Sequence, residues 1–221
     1  MLQNSELSQL SRKEREKKSR QDEILNAARI LFSQKGYHNT TLEEIAHKAE
    51  FAKGTIYNYF ANKDELFFGI MNSVIDEMHA AAQEAFQTGP DDLRERFTRF
   101  AHRLIAYAVE HRDLFRTLMQ EGLRTLSDNM NEWLQQMSRK EEEFRAGIVR
   151  VLKQEIEQGR MRPIDPYDAA LMFEGMVRMY CMHFAKRLQE RPSDEEVRQA
   201  AERTVSIFYD GISQQNTKEE S

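Results

Sequence analysis

Apolar side chains recur three or four positions apart along most of the chain, with charged and polar residues between them. This spacing places the apolar residues on one side of an α-helix, whereas a half-buried strand alternates apolar and polar positions. We find helical runs of this kind and no strand pattern, so the sequence predicts an all-α protein. The first run begins at about Arg20 and follows the apolar positions Ile24, Ala28, Leu31 and Phe32.

Residues that favour helix ends divide this pattern. Gly36 suits a left-handed residue at the end of the first helix. Thr41 and Glu44 form a capping box, because each side chain can accept a hydrogen bond from the backbone N–H of the other residue. A short helix is therefore predicted to about Ala49. A second short helix is predicted near residues 53–60, after a break of a few residues.

Longer helices are predicted in the rest of the chain, which gives about nine helices in total. A cap at Asn62 and Glu65 opens the first of them, and Gly89 and Pro90 end it. The apolar positions that define these helices are Leu66, Phe67, Ile70, Val74 and Met78, then Leu93, Phe97, Phe100, Leu104 and Tyr107, then Leu114, Phe115, Leu118 and Met119, then Trp133, Met137, Phe144, Ile148 and Leu152, then Ala169, Phe173 and Val177, and finally Val197, Ala201, Val205 and Phe208.

Composition places the chain among ordinary globular proteins, with 31% charged and 40% hydrophobic residues. The single cysteine, Cys181, excludes an intrachain disulfide framework and a four-cysteine metal site. The start of the chain shows no apolar signal-peptide region, and no stretch is apolar enough to span a membrane. We therefore expect a soluble, cytoplasmic protein, and no motif calls for a cofactor.

Charge is distributed unevenly along the chain. Residues 1–63 carry 11 Lys and Arg against 8 Asp and Glu, whereas the remainder carries 21 against 29. A mildly basic head on an acidic body is typical of a nucleic-acid-binding module joined to a second domain. The basic residues are densest over residues 12–20, which can form either a DNA-contacting arm or a solvated terminus.

Residue pairs with metal-binding spacing are isolated. Glu44 with His47, and Asp76 with His79, have the carboxylate–histidine spacing of di-iron helical bundles, but such a site needs two further carboxylates on facing helices. No phosphate-binding loop, nucleophile elbow or zinc-protease motif occurs. The sequence therefore predicts neither a metal site nor an enzyme.

Residues 53–60 combine side chains that are unusual on a merely solvated helix face. Ile56 and Phe60 lie four positions apart and can enter the core together. Gly54 allows a phosphate to approach the backbone closely. Two short helices with a tight break, behind a stabilising first helix, match the plan of a helix-turn-helix. The side chains that would face outward, toward phosphates or base edges, are Thr55, Tyr57, Asn58 and Tyr59.

The chain between about Ile24 and Leu66 resembles the DNA-binding domain of tetracycline-repressor-like (TetR family) regulators. The likeness is carried by TLEEIA at 41–46, KGTIYNYF at 53–60 and NKDEL at 62–66. It implies that this part binds double-stranded DNA, with Thr41 and Lys63 on phosphates. By the same likeness the recognition helix contributes Lys53, Gly54, Thr55, Tyr57, Asn58 and Tyr59.

Two positions depart from the family pattern. The family often has glycine and serine where this chain has Glu50 and Ala52, so a favourable left-handed turn residue and a hydroxyl cap are missing.

The predicted organisation is a basic N-terminal arm over residues 1–19, a helix-turn-helix domain over 20–66, a helical effector-binding and dimerisation domain over 67–215, and a tail over 216–221.

The helix predicted from Asp165 to Leu188 is apolar on nearly all sides. Glu174 and Arg178 form its narrow polar stripe and have the spacing of an ion pair. Such a helix needs more than its own core to cover it, so we expect it to form a two-fold homodimer interface with the last helix. The alternative is a central core helix in a monomer. The predicted interface residues are Ala169, Val177, Cys181, Phe184, Ala201, Val205 and Phe208.

Large, adaptable side chains are frequent, with 11 Met and 13 Phe. TetR family regulators commonly hold a small effector between the helices of the second domain, so the resemblance implies an apolar or amphipathic ligand. Core packing is the alternative for each of these residues. The candidate pocket residues are Phe97, Phe100, Leu104, Tyr107, Phe115, Met119, Trp133, Met137, Phe144, Phe173, Met176 and Tyr180.

The favoured hypothesis is a dimeric DNA-binding transcriptional regulator, in this family usually a repressor, that a small effector releases from a palindromic operator. In this mechanism the helix that begins at Lys63 shifts when the ligand binds, and the spacing of the two recognition helices changes. A DNA-binding protein controlled by a protein partner, without a small effector, is the alternative. A helical enzyme is the third and least favoured hypothesis.

Overall fold

The computed structural model describes residues 11–87, 92–113, 116, 130–187 and 190–212, with only the backbone at 130–132. Within these ranges the chain is all-α, as predicted. The predicted helix at 114–119, apart from residue 116, and the tail at 216–221 lie outside the described residues. The described helices are α1 (Arg12–Lys35), α2 (Leu42–Lys48), α3 (Lys53–Tyr57), α4 (Lys63–Gln87), α5 (Leu93–Glu110), α6 (Met130–Glu157), α7 (Pro166–Lys186) and α8 (Asp194–Ile212).

The first helix begins at Arg12, well before the predicted start at about Arg20. The Oγ of Ser11 accepts a hydrogen bond from the N–H of Glu14 at 3.3 Å, and the Glu14 carboxylate accepts one from the N–H of Ser11 at 2.8 Å. This capping box satisfies two backbone donors that a helix start leaves open. Residues 12–19 of the predicted arm are therefore an exposed extension of α1.

Contacts divide the chain into two compact units, one with the described residues up to Val74 and one with those from Ile75 onward. The division falls within α4, so this one helix contributes residues to both units.

Aromatic and aliphatic side chains fill the core of the first unit. The rings of Phe32, Tyr37 and Phe67 have their centres 5.1–6.1 Å apart. Ile56 and Phe60 are 0% and 3% exposed, as predicted from their spacing. These two side chains anchor α3 to the rest of the unit, which leaves the opposite side of α3 in solvent.

Four phenylalanines form the centre of the second unit, where α5, α7 and α8 pack together. The ring centre of Phe173 lies 4.6 Å from that of Phe97, 5.5 Å from that of Phe100 and 5.0 Å from that of Phe208. Such tilted and edge-on ring pairs are favourable packing arrangements. Phe97 and Phe173 are completely buried in this cluster.

The polar stripe on α7 is paired differently from the prediction. Glu174 contacts Arg145 of α6 at 3.0 Å, and Arg178 contacts Glu141 of the same helix at 3.1 Å. The predicted Glu174–Arg178 ion pair is therefore wrong. Burial raises the pKa of Glu174 while Arg145 opposes this shift. A carboxylate that is only 8% exposed needs a charged partner, and the facing helix supplies it.

None of the helices in the described ranges combines the length and apolar character that crossing a membrane requires.

Candidate functional site

A short helix, a tight turn and a second short helix lie together in the first unit, formed by α2, residues 49–52 and α3. The capping box predicted at the start of α2 is present, with the N–H of Glu44 donating to Thr41 Oγ1 at 3.2 Å and the N–H of Thr41 donating to the Glu44 carboxylate at 2.9 Å. Thr41 itself is exposed. The start of α3 has no such cap, because Ala52 offers no side-chain acceptor.

The turn between the two helices contains a strained residue. Glu50 has φ +58°, and the helix ends with hydrogen bonds from the N–H of Phe51 to the oxygen of Ala46 at 2.9 Å and from the N–H of Glu50 to the oxygen of His47 at 3.2 Å. This is a Schellman motif, which favours glycine at the left-handed position. The end of α6 has the same pair of bonds with Gly159 at φ +70°.

Substituting Glu50→Gly should raise the free energy of unfolding by about 0.5–1 kcal/mol. A side chain with a Cβ costs about 1–2 kcal/mol in the left-handed region, and the greater freedom of glycine in the unfolded chain offsets part of that gain. Urea unfolding measures the difference. Gly159→Ala is the matched comparison and should lower stability, so a lower stability of Glu50→Gly would contradict this assignment of strain.

The outward side of α3 carries most of the residues predicted to face DNA. Lys53, Gly54, Tyr57 and Asn58 are exposed, and the Tyr57 side chain is 48% accessible. Thr55 and Tyr59 are half-buried. The helix ends at Tyr57 rather than near residue 60, because the N–H of Asn58 turns back to the oxygen of Thr55 at 3.1 Å.

Two lysines of this unit, Lys53 and Lys35, are already paired with carboxylates. Lys53 is paired with Glu43 of α2, which lowers the pKa of the Glu43 carboxyl and raises that of Lys53. Lys35 lies 2.6 Å from Glu44 and, together with the N–H of Thr41, lowers the pKa of Glu44 to about 2. Glu43 therefore competes with any anion for the charge of Lys53, a role that the sequence analysis missed.

Lys63 at the start of α4 is held by the loop before α2. Its Nζ donates to the backbone oxygens of Tyr37 at 3.0 Å and Thr40 at 3.1 Å, and it lies 4.3 Å from the centre of the Tyr37 ring. The Tyr37 hydroxyl donates to Asp64. Lys63 thus fixes this loop against α4, and its remaining N–H is the one left for the predicted phosphate contact.

A cavity of about 350 Å³ lies in the second unit among α4, α5 and α6. Of the predicted pocket residues, Phe100 and Phe144 line it. Five of the others are buried but do not line it: Phe97, Leu104, Tyr107, Met137 and Phe173. Three more do not line it either: Trp133, Met176 and Tyr180. The last two, Phe115 and Met119, lie outside the described residues. The sequence analysis placed none of the polar lining residues in a pocket, namely Asp76, His79, Gln83, Gln87, Arg96, Lys140, Glu143 and Arg150. These residues belong to three separate helices, and only the packing of those helices brings them together.

His79 lies flat against Phe144 in this cavity, with ring centres 4.0 Å apart and planes 7° from parallel. Burial lowers the pKa of His79 to about 4, with Asp76 opposing the shift and Lys140 and Arg178 adding to it. The imidazole is therefore neutral at pH 7.

The lowered pKa predicts acid sensitivity. Above about pH 6.5 the imidazole is neutral in the folded and unfolded states, and as the pH falls toward 4 only the unfolded state gains the proton. The wild type should lose about 1–2 kcal/mol more stability than His79→Gln between pH 7 and pH 5. Chemical unfolding at the two pH values measures this, and an identical loss in both proteins would show that His79 is not the cause.

The predicted dimer residues lie mostly in the chain's own core. Ala169, Val177, Phe184, Ala201, Val205 and Phe208 are at most 5% exposed, so they have little surface to offer a second copy. Cys181 is half-buried, and burial raises the pKa of its thiol to about 12. The buried side chains among them are covered by the chain itself, which the sequence did not reveal because helix periodicity identifies an apolar face without saying what covers it. The exposed apolar residues of these helices are Tyr167, Leu171, Met172, Met179 and Ile207.

Comparison with known proteins agrees with this arrangement of a helix-turn-helix unit and a helical unit. The sequence model described as bacterial regulatory proteins, tetR family, matches residues 24–70, and that described as the C-terminal domain of an AefR-like transcriptional repressor matches residues 108–211.

Individual relatives carry regulator names as well. The uncharacterized HTH-type transcriptional regulator YhgD of Bacillus subtilis is 32% identical over 178 residues, covering 78% of this chain and 87% of that protein. The HTH-type transcriptional repressor KstR2 of Mycolicibacterium smegmatis is 26% identical over 145 residues, covering 66% of this chain and 69% of that protein. The crystal structure of the TetR family transcriptional regulator PfmR of Thermus thermophilus matches with a TM-score of 0.60 and 26% identity, covering 86% of this chain and 99% of that one. The chain contains a helix-turn-helix, matches both sequence models and is 32% identical to YhgD over 78% of its length. It therefore belongs to the TetR family of DNA-binding transcriptional regulators.

Proposed function

We propose that the protein is a homodimeric repressor that binds a palindromic operator through α3 and leaves it when a small effector binds the second unit. One observation supports DNA binding by α3: the helix has one side buried in the core and one side exposed to solvent. Ile56 and Phe60 fix the helix, while Lys53, Tyr57 and Asn58 stand in solvent. The proposed DNA contacts are Thr41, Lys53, Gly54, Thr55, Tyr57, Asn58, Tyr59 and Lys63.

Gly54 supports close approach of a partner to α3. A Cβ placed on Gly54 would meet nothing within 4 Å, so the fold of the chain does not require glycine there. Glycine inside a helix costs about 1 kcal/mol relative to alanine. A glycine that the chain does not need for its own packing fits a site where a phosphate lies against the backbone.

The exposed apolar side of α7 supports a dimer. Leu171, Met172 and Met179 are 46%, 61% and 64% exposed, and Ile207 on α8, which packs against α7, is 69% exposed. We assign these residues, in place of the buried set, to the face that meets a second copy. A two-fold dimer of this kind presents two recognition helices, which a palindromic site matches.

Effector control rests on the continuity of α4. This helix begins three residues after Phe60 and ends at the cavity residue Gln87. A ligand that fits the cavity better in one conformation of the dimer shifts the population toward it. We propose that this conformation holds the recognition helices at a spacing that no longer matches the operator.

A binding titration tests this function. The purified protein is titrated against its own upstream DNA and against a scrambled duplex at two salt concentrations, with the mass measured by light scattering. We expect a dimer, a preference of at least a hundredfold for the upstream DNA, and affinity that falls steeply with salt. Equal, weak binding to both duplexes, followed by failure to select any site from random DNA, would contradict the proposal.

A further inference from the structure

Two arginines line the cavity, Arg96 and Arg150, and neither has a carboxylate partner among the residues that the structure describes. Arg96 of α5 donates from Nε to the backbone oxygen of Phe86 at 2.9 Å, and its guanidinium lies 4.6 Å from the centre of the Phe86 ring. Within the described ranges no acceptor contacts the terminal nitrogens of Arg96, and no polar contact of Arg150 on α6 is found there. The Arg96 guanidinium is therefore held in place with its terminal N–H groups free, as a bidentate oxyanion site requires.

The other charges of the cavity nearly cancel. The Nζ of Lys140 lies 2.7 Å from both carboxylate oxygens of Asp76, so this pair contributes no net charge. His79 is neutral at pH 7 because of its burial. Glu143 is the remaining acidic residue of the lining. Two arginines against one carboxylate leave a net charge of +1, which favours an anionic ligand.

The uncharged part of the lining includes three phenylalanines, Phe86, Phe100 and Phe144, beside Gln83, Gln87, Gly147, Ile148 and Val151. Phe144 lies between His79, 4.0 Å away and nearly parallel, and Phe100, 5.5 Å away with planes 24° apart. Phe86 adds a ring beneath the Arg96 guanidinium. Flat rings of this kind make favourable offset or edge contacts with another planar group. The lining thus combines an aromatic wall with guanidinium groups.

We propose that this cavity binds a planar aromatic ligand that carries a carboxylate or a phosphate group. The ligand's oxyanion contacts Arg96 and Arg150, and its ring lies against the wall formed by Phe86, Phe100 and Phe144. That the ligand acts as an effector rests on the proposed function, whereas its chemical class follows from the cavity alone.

Gly147 provides a way to close the cavity without touching its charges. It lies on α6 in the cavity lining, and a Cβ placed there would meet nothing within 4 Å. A leucine at this position should fill part of the 350 Å³ and should not weaken the helix, because leucine forms helices better than glycine.

Isothermal titration calorimetry of the full chain without DNA tests the ligand class. The probes are 2-naphthoate, 2-naphthyl phosphate and the neutral 2-naphthamide. We expect at least one of the two anions to bind tenfold or more tightly than the amide. The tighter of the two identifies the group as carboxylate or phosphate.

Variants connect this preference to the cavity. Arg96→Gln and Arg150→Gln should each weaken the anion about tenfold and leave the amide unchanged. Arg139→Gln, an exposed arginine on α6 outside the lining, should change nothing. Gly147→Leu should abolish binding of all three probes without lowering the thermal midpoint. Equal binding of anion and amide, or undiminished anion binding in both cavity arginine variants, would overturn the proposal.

The same preparation separates this inference from the proposed function. A protein that binds its operator but none of the probes at millimolar concentration overturns the ligand class and leaves the DNA-binding function intact. A protein that binds the anion in an arginine-dependent way but no specific DNA supports the ligand class and overturns the regulator.

Discussion

We expect Met179→Glu to be a monomer that binds the operator more than a hundredfold more weakly than the wild type. Met179 is 64% exposed on α7, on the face assigned to the second copy. In a two-fold interface one substitution introduces two carboxylates, and burying an unpaired charge is strongly unfavourable. A monomer reaches only one half-site and loses most of its specific affinity. Light scattering and an operator titration measure the two effects.

The chain offers a matched control for this substitution. Leu134 on α6 is 51% exposed and lies outside the α7–α8 face, so Leu134→Glu should remain a dimer with normal operator affinity. Met172→Glu, with 61% exposure of the native side chain, provides a second test of the same face. If Met172→Glu and Met179→Glu both stay dimeric and bind the operator normally, the interface lies elsewhere.

Tyr57→Ala should lower operator affinity by about ten- to a hundredfold while the fold stays intact. This corresponds to the roughly 1–3 kcal/mol that a base-reading contact contributes. The Tyr57 side chain is 48% exposed on α3, whereas its neighbour Ile56 is fully buried, so removal of the Tyr57 side chain leaves no cavity in the core. The thermal midpoint should stay within about 2 °C of the wild type, because exposed substitutions change stability little.

Two further variants separate readout of bases from attraction of phosphates. Lys53→Gln should weaken binding to operator and scrambled DNA alike and reduce the log–log salt slope by about one. Leu134→Ala removes an exposed apolar side chain, 51% accessible on α6 and outside the α7–α8 face, and should leave DNA binding unchanged. Wild-type operator affinity in Tyr57→Ala would remove Tyr57 from the recognition surface.

Local signals in the sequence were reliable where they depend on neighbouring residues. The capping box at Thr41 and Glu44, the left-handed Gly36 and the paired burial of Ile56 and Phe60 are all present as predicted. Each is decided within a few residues along the chain, by backbone donors at a helix start or by the period of the helix. The start of α1 was missed although Ser11 and Glu14 form the same kind of box.

Signals that depend on partners far along the chain were less reliable. Glu174 and Arg178 have ion-pair spacing, but the facing helix supplies a closer cation and a closer carboxylate. The predicted pocket residues are apolar or aromatic, whereas packing of α4, α5 and α6 also brings Asp76, Arg96 and Lys140 to the lining of the cavity.

The sequence by itself determined the helical class, the helix-turn-helix and the family, because helix periodicity, caps and the motif over 53–60 are local properties of the chain. Only the tertiary structure decided which apolar faces are covered by the chain itself and which stay open. The tertiary structure also decided which charged side chains form ion pairs, such as Lys53 with Glu43 and Lys140 with Asp76. The physical reason is that burial and charge pairing are properties of neighbours in space, and one sequence period is compatible with several ways of packing the same helices.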